Sequence, residues 1–192
     1  MRSNVYKWWR DTAKGKVSEH DGHWVESATL LRPMHRTDLN GVIPLAAAIH
    51  EAYPEDDAVF VNRLELFPAG CWVFVKNGRI AEYVLSHPWP RFSPPLLNQV
   101  PGTFSASPDS FYIHDLAVAP WARASGAGRA LAAAALQAAW KASLPRVGLV
   151  AVGGSESFWE QQGFAASIMP NWQPNSPAME REPAIWSSFS DR

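Results

Sequence analysis

The chain has 192 residues, 47% hydrophobic and 18% charged, the balance of one soluble globular domain with a full core, which excludes disorder throughout. A formal net charge of −1 without a dense basic patch gives no electrostatic case for nucleic acid, and no apolar run is long enough to span a membrane. The single cysteine, Cys71, cannot close an internal disulfide or build a Cys-based zinc site, so a reducing, cytoplasmic setting without a metal is expected. Ten tryptophans and 16 prolines point to stiff connections and to more aromatic surface than one core uses.

Residues 1–22 show no sustained period and read as an N-terminal extension ahead of a domain over 23–192. Their basic start lacks the apolar segment of a secretory signal; it leaves a mitochondrial presequence open, though Ser and Leu are sparse. Residues 24–31 read as a first strand. Asp38 opens a helix reaching Ala52, with Pro44 delaying or kinking it. Pro54 starts a second helix in which Ala58, Val61 and Leu64 recur at helical spacing, with Glu55, Asp56 and Asp57 in its first turn and Gly70 closing it. Residues 71–75 and 80–85 are strands joined by Lys76-Asn77-Gly78-Arg79, a strong hairpin signal. The proline-rich stretch 87–108 reads as a long loop.

The most informative stretch follows. Residues 111–118 form a strand stopped by Ala119-Pro120. A short connection with Gly126 and Gly128 then leads into an alanine-rich helix that Pro145 ends. Strand, glycine-bearing turn and helix in that order make a phosphate site, because the helix start offers unpaired N–H groups and a positive dipole end. A strand over 146–152, a short helix over 155–162 capped by Gly163, and last strands over 164–168 and 184–189 complete an α+β domain, a mixed central sheet flanked by helices. The regular βαβ alternation of a dinucleotide-binding fold is missing.

Arg123-x-x-Gly126-x-Gly128, placed after Leu116-Ala117-Val118, together with Phe158-Trp159-x-x-x-Gly163-Phe164, resembles the GCN5-related N-acetyltransferase (GNAT) superfamily over residues 24–168. Tyr112-Ile-His114-Asp115-Leu-Ala-Val118 is similar to the arylalkylamine N-acetyltransferase branch, whose strand carries two histidines. The resemblance implies acetyl-coenzyme A as co-substrate and a small primary amine as acceptor, in a monomer or homodimer. Backbone amides of Arg123, Ala124, Ser125, Gly126, Ala127, Gly128 and Arg129 would hold the diphosphate. Leu116, Ala117 and Val118 would border the pantetheine arm, with Leu116 and Val118 pairing to it by backbone.

Amine attack needs the free base, so a general base is expected; His114 is the candidate, with Tyr112 ordering a water. Period 2 places Tyr112, His114, Leu116 and Val118 on one strand face and Asp115 on the other. The alternative for His114 is a hydrogen-bonded structural histidine. Trp159 stands where the family often has a tyrosine acid, and indole cannot serve as that acid. Ser155, Ser157 or water protonates the thiolate, or it leaves unassisted, or the fold serves acyl-coenzyme A binding and sensing, or other chemistry on a larger metabolite. Glu82 is read as an amine-receiving group or base, against a solvent-facing position. Cys71 is read as a small buried residue rather than a nucleophile. Trp72, Phe74, Trp89 and Phe92 are candidates for an acceptor-site lining.

Overall fold

In a computed structural model of the chain, residues 16–20, 23–27, 29–103, 107–123, 125–144, 146–166 and 184–188 are described. Strands β1 (Lys16–His20) and β2 (His23–Ser27) pair antiparallel, His20 opposite His23. Residues 16–20, within the expected N-terminal extension, thus form a strand.

The main sheet has seven strands: β3 (Thr29–Pro33), β4 (Trp72–Lys76), β5 (Arg79–Trp89), β6 (Ser110–Val118), β7 (Arg146–Val150), β8 (Ala165–Ala166) and β9 (Ala184–Ser188). They lie in the order β3-β4-β5-β6-β7-β9-β8. All neighbours are antiparallel except β6 and β7, so the sheet is mixed, as expected. The β4–β5 turn places Asn77 and Gly78 at positive φ, which the right-handed strand twist requires of a two-residue hairpin. β5 runs on through His87, Pro88 and Trp89, all expected in a loop. It is buried from Ala81 to Trp89, and helices on both faces hold it in place although Pro88 donates no ladder bond.

Helices α1 (Leu39–Ile49) and α2 (Asp57–Leu66) cover one face of the sheet, where Val42, Val59, Phe60, Tyr83 and Leu85 form a core. α1 passes through Pro44 without ending, its ring exposed. Asp38 fastens the start of α1 to β3: its carboxylate accepts from the His35 N–H at 2.7 Å and from the Arg32 guanidinium at 2.6 Å. α2 starts three residues after Pro54 and turns Val59, Phe60, Arg63 and Leu64 inward, leaving Ala58 exposed. The opposite face is covered by α3 (Ala127–Lys141), whose Ala132, Ala135, Ala138 and Ala139 let it lie close to Phe111, Ile113 and Val147. A short helix, α4 (Glu156–Gln161), closes the end of this core with Trp159.

Phe111 is fully buried and meets Phe67 edge-to-face at 5.6 Å between ring centres. Phe111→Ala should cost about 3–5 kcal/mol, read as a lower urea midpoint at unchanged slope.

Candidate active site

The site begins with a bulge. β5 and β6 pair Leu85 with Asp115 but Ser86 with Ile113, so β6 carries one extra residue at His114. A bulge breaks the period of 2 and re-aims side chains. Phe111 and Ile113 point to the α3 side, and beyond the bulge Leu116 and Val118 do so too. Tyr112, His114 and Asp115 instead share a cavity with α1 and α2, and Ala117 packs into the core on that side. This corrects the single face expected for Tyr112, His114, Leu116 and Val118, and it brings Asp115 beside His114 rather than away from it.

β6 and β7 pair only at Phe111 with Val147 and Tyr112 with Gly148 among the described residues. Past that point they part, leaving a cleft of about 320 Å³ bordered by Leu116, Val118, Leu149, Ser155, Phe158 and Trp159. A second cavity of about 410 Å³ lies across the bulge, between α1, Phe60 and the loop residues Pro95 and Leu97. The two hollows share His50, Tyr53, His114, Asp115, Val150 and Val152. His114 and Asp115 therefore sit where they meet, with Tyr112 in the wall of the larger hollow.

Two histidine–carboxylate pairs stand at this junction. His114 Nε2 lies 2.9 Å from Glu55 Oε2, both side chains nearly buried. Burial alone would raise the Glu55 pKa, but the His114 charge and hydrogen bond, with the Asn98 N–H on the other oxygen at 2.9 Å, hold it below the usual value. His50 Nε2 lies 2.8 Å from Asp115 Oδ1, and the Tyr83 hydroxyl donates to Asp115 Oδ2. Burial works against both charges, yet the mutual attraction wins: Asp115 is held below its ordinary range and His50 above its own. Tyr112 is pushed upward chiefly by burial, only partly offset by a hydrogen bond to the Val150 backbone, so its phenol stays neutral where the strands part.

Asn98 ties the proline-rich loop to this junction. It occupies the left-handed region at φ 62°, its Oδ1 accepts from the Asp56 N–H at 2.8 Å, and its amide donates to Asp56 Oδ2 at 2.9 Å. Arg63, fully buried, donates to the Gln99 carbonyl at 2.9 Å, and Asn62 to that of Pro101.

At the far end of the cleft, Gly126 adopts φ 80° and opens α3, a conformation glycine takes without the Cβ penalty. The first-turn amides of a helix have no acceptor within it, so they face outward with the positive dipole end. Ser125 Oγ accepts the Ala127 N–H at 3.0 Å. Arg123 borders the cleft, and Arg129 is exposed one turn on; Ala124 lies outside the described residues. This cradle at the open end of an apolar cleft can hold a diphosphate with an extended arm.

The other candidates separate cleanly. Trp159 is buried edge-to-face against Phe158 and Phe164, and Ser155 borders the cleft whereas Ser157 is exposed. Cys71 is fully buried, burial pushing its thiol up to about 12, and borders neither hollow. Trp72, Phe74, Trp89 and Phe92 border neither hollow; Tyr53, Phe60 and Tyr112 supply the aromatic wall. Glu82 is fully buried on the α3 face, far from the role of a solvent-facing residue. Glu55 and His50 carried weak sequence signals, one an acid in a supposed helix first turn and the other a histidine ending an apolar helix face.

Residues 39–164 match the acetyltransferase (GNAT) family. The fold is similar to Ard1 from Thermoplasma volcanium, at 16% identity and TM-score 0.65 over 85% of this chain and 99% of that one. It is also similar to the GphF GNAT-like decarboxylase in complex with isobutyryl-CoA, at 16% identity and TM-score 0.67 over 83% and 98%. A third is Naa50 from Arabidopsis thaliana, in complex with the bisubstrate analogue CoA-Ac-MVNAL, at 15% identity and TM-score 0.60 over 84% and 99%. No curated protein matches the sequence.

Proposed function

The chain belongs to the acetyltransferase (GNAT) family, and we propose that it transfers an acetyl group from acetyl-coenzyme A to a small primary amine by direct attack in a ternary complex. The observation that carries this reading is the meeting of the two hollows at His114 and its Glu55 partner. The backbone of residues 123–129 would hold the diphosphate, and the cleft edge of β6 at Leu116, Ala117 and Val118 the pantetheine arm. The thioester supplies the activated acyl group.

The chain's own residues handle charge and protons. Glu51, Glu55, Asp57 and Asp115 border the acceptor cavity and attract an ammonium, while Ile43, Ala46 and Phe60 suit an apolar arm. An amine with a pKa near ~10.4 arrives protonated and must lose a proton before it attacks. Ionised Glu55 favours the tautomer in which His114 Nε2 carries hydrogen, which leaves Nδ1 as the accepting lone pair. Glu55 thus orients the ring and steadies the imidazolium. Tyr112, neutral and hydrogen-bonded to the Val150 backbone, stands at the end of the β6–β7 pairing in the wall of the acceptor cavity, where it would order a water. Ser155 is the hydroxyl on the cleft wall that can relay a proton from solvent to the thiolate, giving up its own as it takes one from water, since Trp159 offers no acidic proton.

A thiol-release assay with acetyl-coenzyme A and a panel of amines and peptide N-termini tests this. Turnover on small apolar-armed amines is expected; turnover on peptides alone would move the acceptor class. Binding without turnover on any acceptor would leave the second reading, an acyl-coenzyme A binding or alternative chemistry role, which buried Trp159 favours. Asn98→Ala should raise the acceptor KM several-fold and leave the coenzyme Kd unchanged. It removes two side-chain bonds that hold the loop and puts at φ 62° a residue that tolerates the left-handed region less well than asparagine. Initial rates and calorimetry separate the two parameters.

A further inference from the structure

Glu82 is a buried carboxyl that the acyl-transfer scheme does not use. Its side chain is fully buried on the α3 face of β5. Oε1 accepts from the Ser125 hydroxyl at 2.7 Å, and the same Ser125 Oγ accepts from the Ala127 N–H at 3.0 Å. Oε2 has no hydrogen-bond partner among the described residues and lies 3.5 Å from where a Cβ on Gly128 would stand. One hydroxyl therefore separates the carboxyl from the first turn of α3, on the inner side of the loop whose outer side would receive a diphosphate.

We propose that Glu82 is a positioning residue of the coenzyme loop, and that it takes up a proton from solvent when a diphosphate docks there. The proposal rests on the coenzyme site described above. A carboxylate and a diphosphate on two sides of one amide turn compete for the same positive field, so docking favours the neutral acid. The surroundings permit the change. Burial already raises the Glu82 pKa to about 7, with the Ser125 hydrogen bond and the charge of Lys76 on β4 pulling down. Val118 from β6 and Phe158 from α4 close the same pocket around Gly128 with apolar surface. Arg123 and Arg129 flank the loop, exposed, and would meet the ligand's charge from outside.

The protonated acid keeps its place. It accepts from or donates to Ser125 and so continues to set the hydroxyl that caps Ala127. The linkage has a definite sign. A group whose pKa rises on binding favours binding at low pH, and affinity falls as pH climbs through the free-state value. With that value about 7, the apparent Kd weakens by at most about twofold at pH 7 and at most about 30-fold at pH 8.5, relative to the fully protonated protein, the limits set by a bound carboxyl that stays protonated throughout.

Calorimetry of acetyl-coenzyme A binding at pH 6.5–8.5, in buffers of differing ionisation heat, reads this for the intact chain and for Glu82→Gln. The acetylated ligand has no free thiol, and the difference between the two proteins cancels the titration of its 3′-phosphate. Proton uptake of up to one per site at pH 8 is expected in the natural chain and lost in Glu82→Gln, which should bind more tightly at pH 8.5, by up to about 30-fold. Ser125→Ala removes a bond that favours the charged acid, so the pH at which affinity falls should move upward; this serves if Glu82→Gln does not fold. Equal proton uptake in the natural chain and in Glu82→Gln, or an unmoved profile in Ser125→Ala, would overturn the role of Glu82. Absence of binding by the natural chain at every pH would instead overturn the coenzyme site itself.

Discussion

His114→Ala is expected to lower kcat/KM for the amine by ~10²–10⁴-fold, the range for removal of a positioned general base, while acetyl-coenzyme A affinity stays unchanged. The split follows from geometry: His114 stands at the junction of the hollows, in contact with Glu55, and is not part of the loop at Gly126 that would hold the diphosphate. Glu55→Gln keeps an oxygen for the Nε2 hydrogen but loses the charge that steadies an imidazolium, so its loss should fall between those of the natural chain and His114→Ala. Rates with saturating coenzyme, beside a melting curve, decide the matter. A variant that melts early and loses coenzyme affinity in step with activity would make His114 a structural histidine.

Gly126→Glu is expected to weaken acetyl-coenzyme A binding at least about 100-fold, since a like charge set against the diphosphate costs several kcal/mol. The backbone adds its own term, because φ 80° at this position suits glycine and strains any L side chain. Gly126→Ala separates the two effects: it carries the strain without the charge, about 1–2 kcal/mol of stability, and should keep most of the affinity. Affinity retained in Gly126→Glu would place the diphosphate elsewhere. The same pair of titrations tests whether residues 123–129 hold the co-substrate at all.

Much of this was legible in the residues themselves. The Asn77-Gly78 hairpin, the strand over 111–118 and the turn at Gly126 are dictated by local chemistry, and local chemistry is what a sequence displays. The bulge at His114 was not legible. It is created by a register mismatch between β5 and β6, two segments whose pairing no local pattern records. That one residue turned Asp115 toward the site and Leu116 and Val118 to the opposite face from His114. Glu55 and His50 were hidden for a related reason. They come from a helix end and the connection after it, 59 residues upstream of His114 in the case of Glu55, and only folding brings them to β6. Glu82 ran against expectation because a charge in mid-strand reads as solvent-facing, whereas here a helix start and a serine hydroxyl receive it.

The proline-rich stretch was legible as a loop but not in its extent. Pro88 sits inside β5, tolerated because the sheet and its covering helices fix the backbone more strongly than one missing bond loosens it. Beyond it, Asn98, Gln99 and Pro101 are pinned to Asp56, Arg63 and Asn62, in the same loop whose Pro95 and Leu97 wall the larger cavity proposed for the acceptor. Acceptor choice should therefore respond to this loop more than to the sheet.

The most direct test is a single-turnover experiment, with the protein in excess over acetyl-coenzyme A, run with and without an amine from the panel. Thiol and N-acetylated product should appear together, one for one, only when the amine is present, and the intact mass of the protein should never gain an acetyl group. Thiol release without amine, an acetylated protein, or coenzyme that binds and is never consumed would contradict direct transfer at His114.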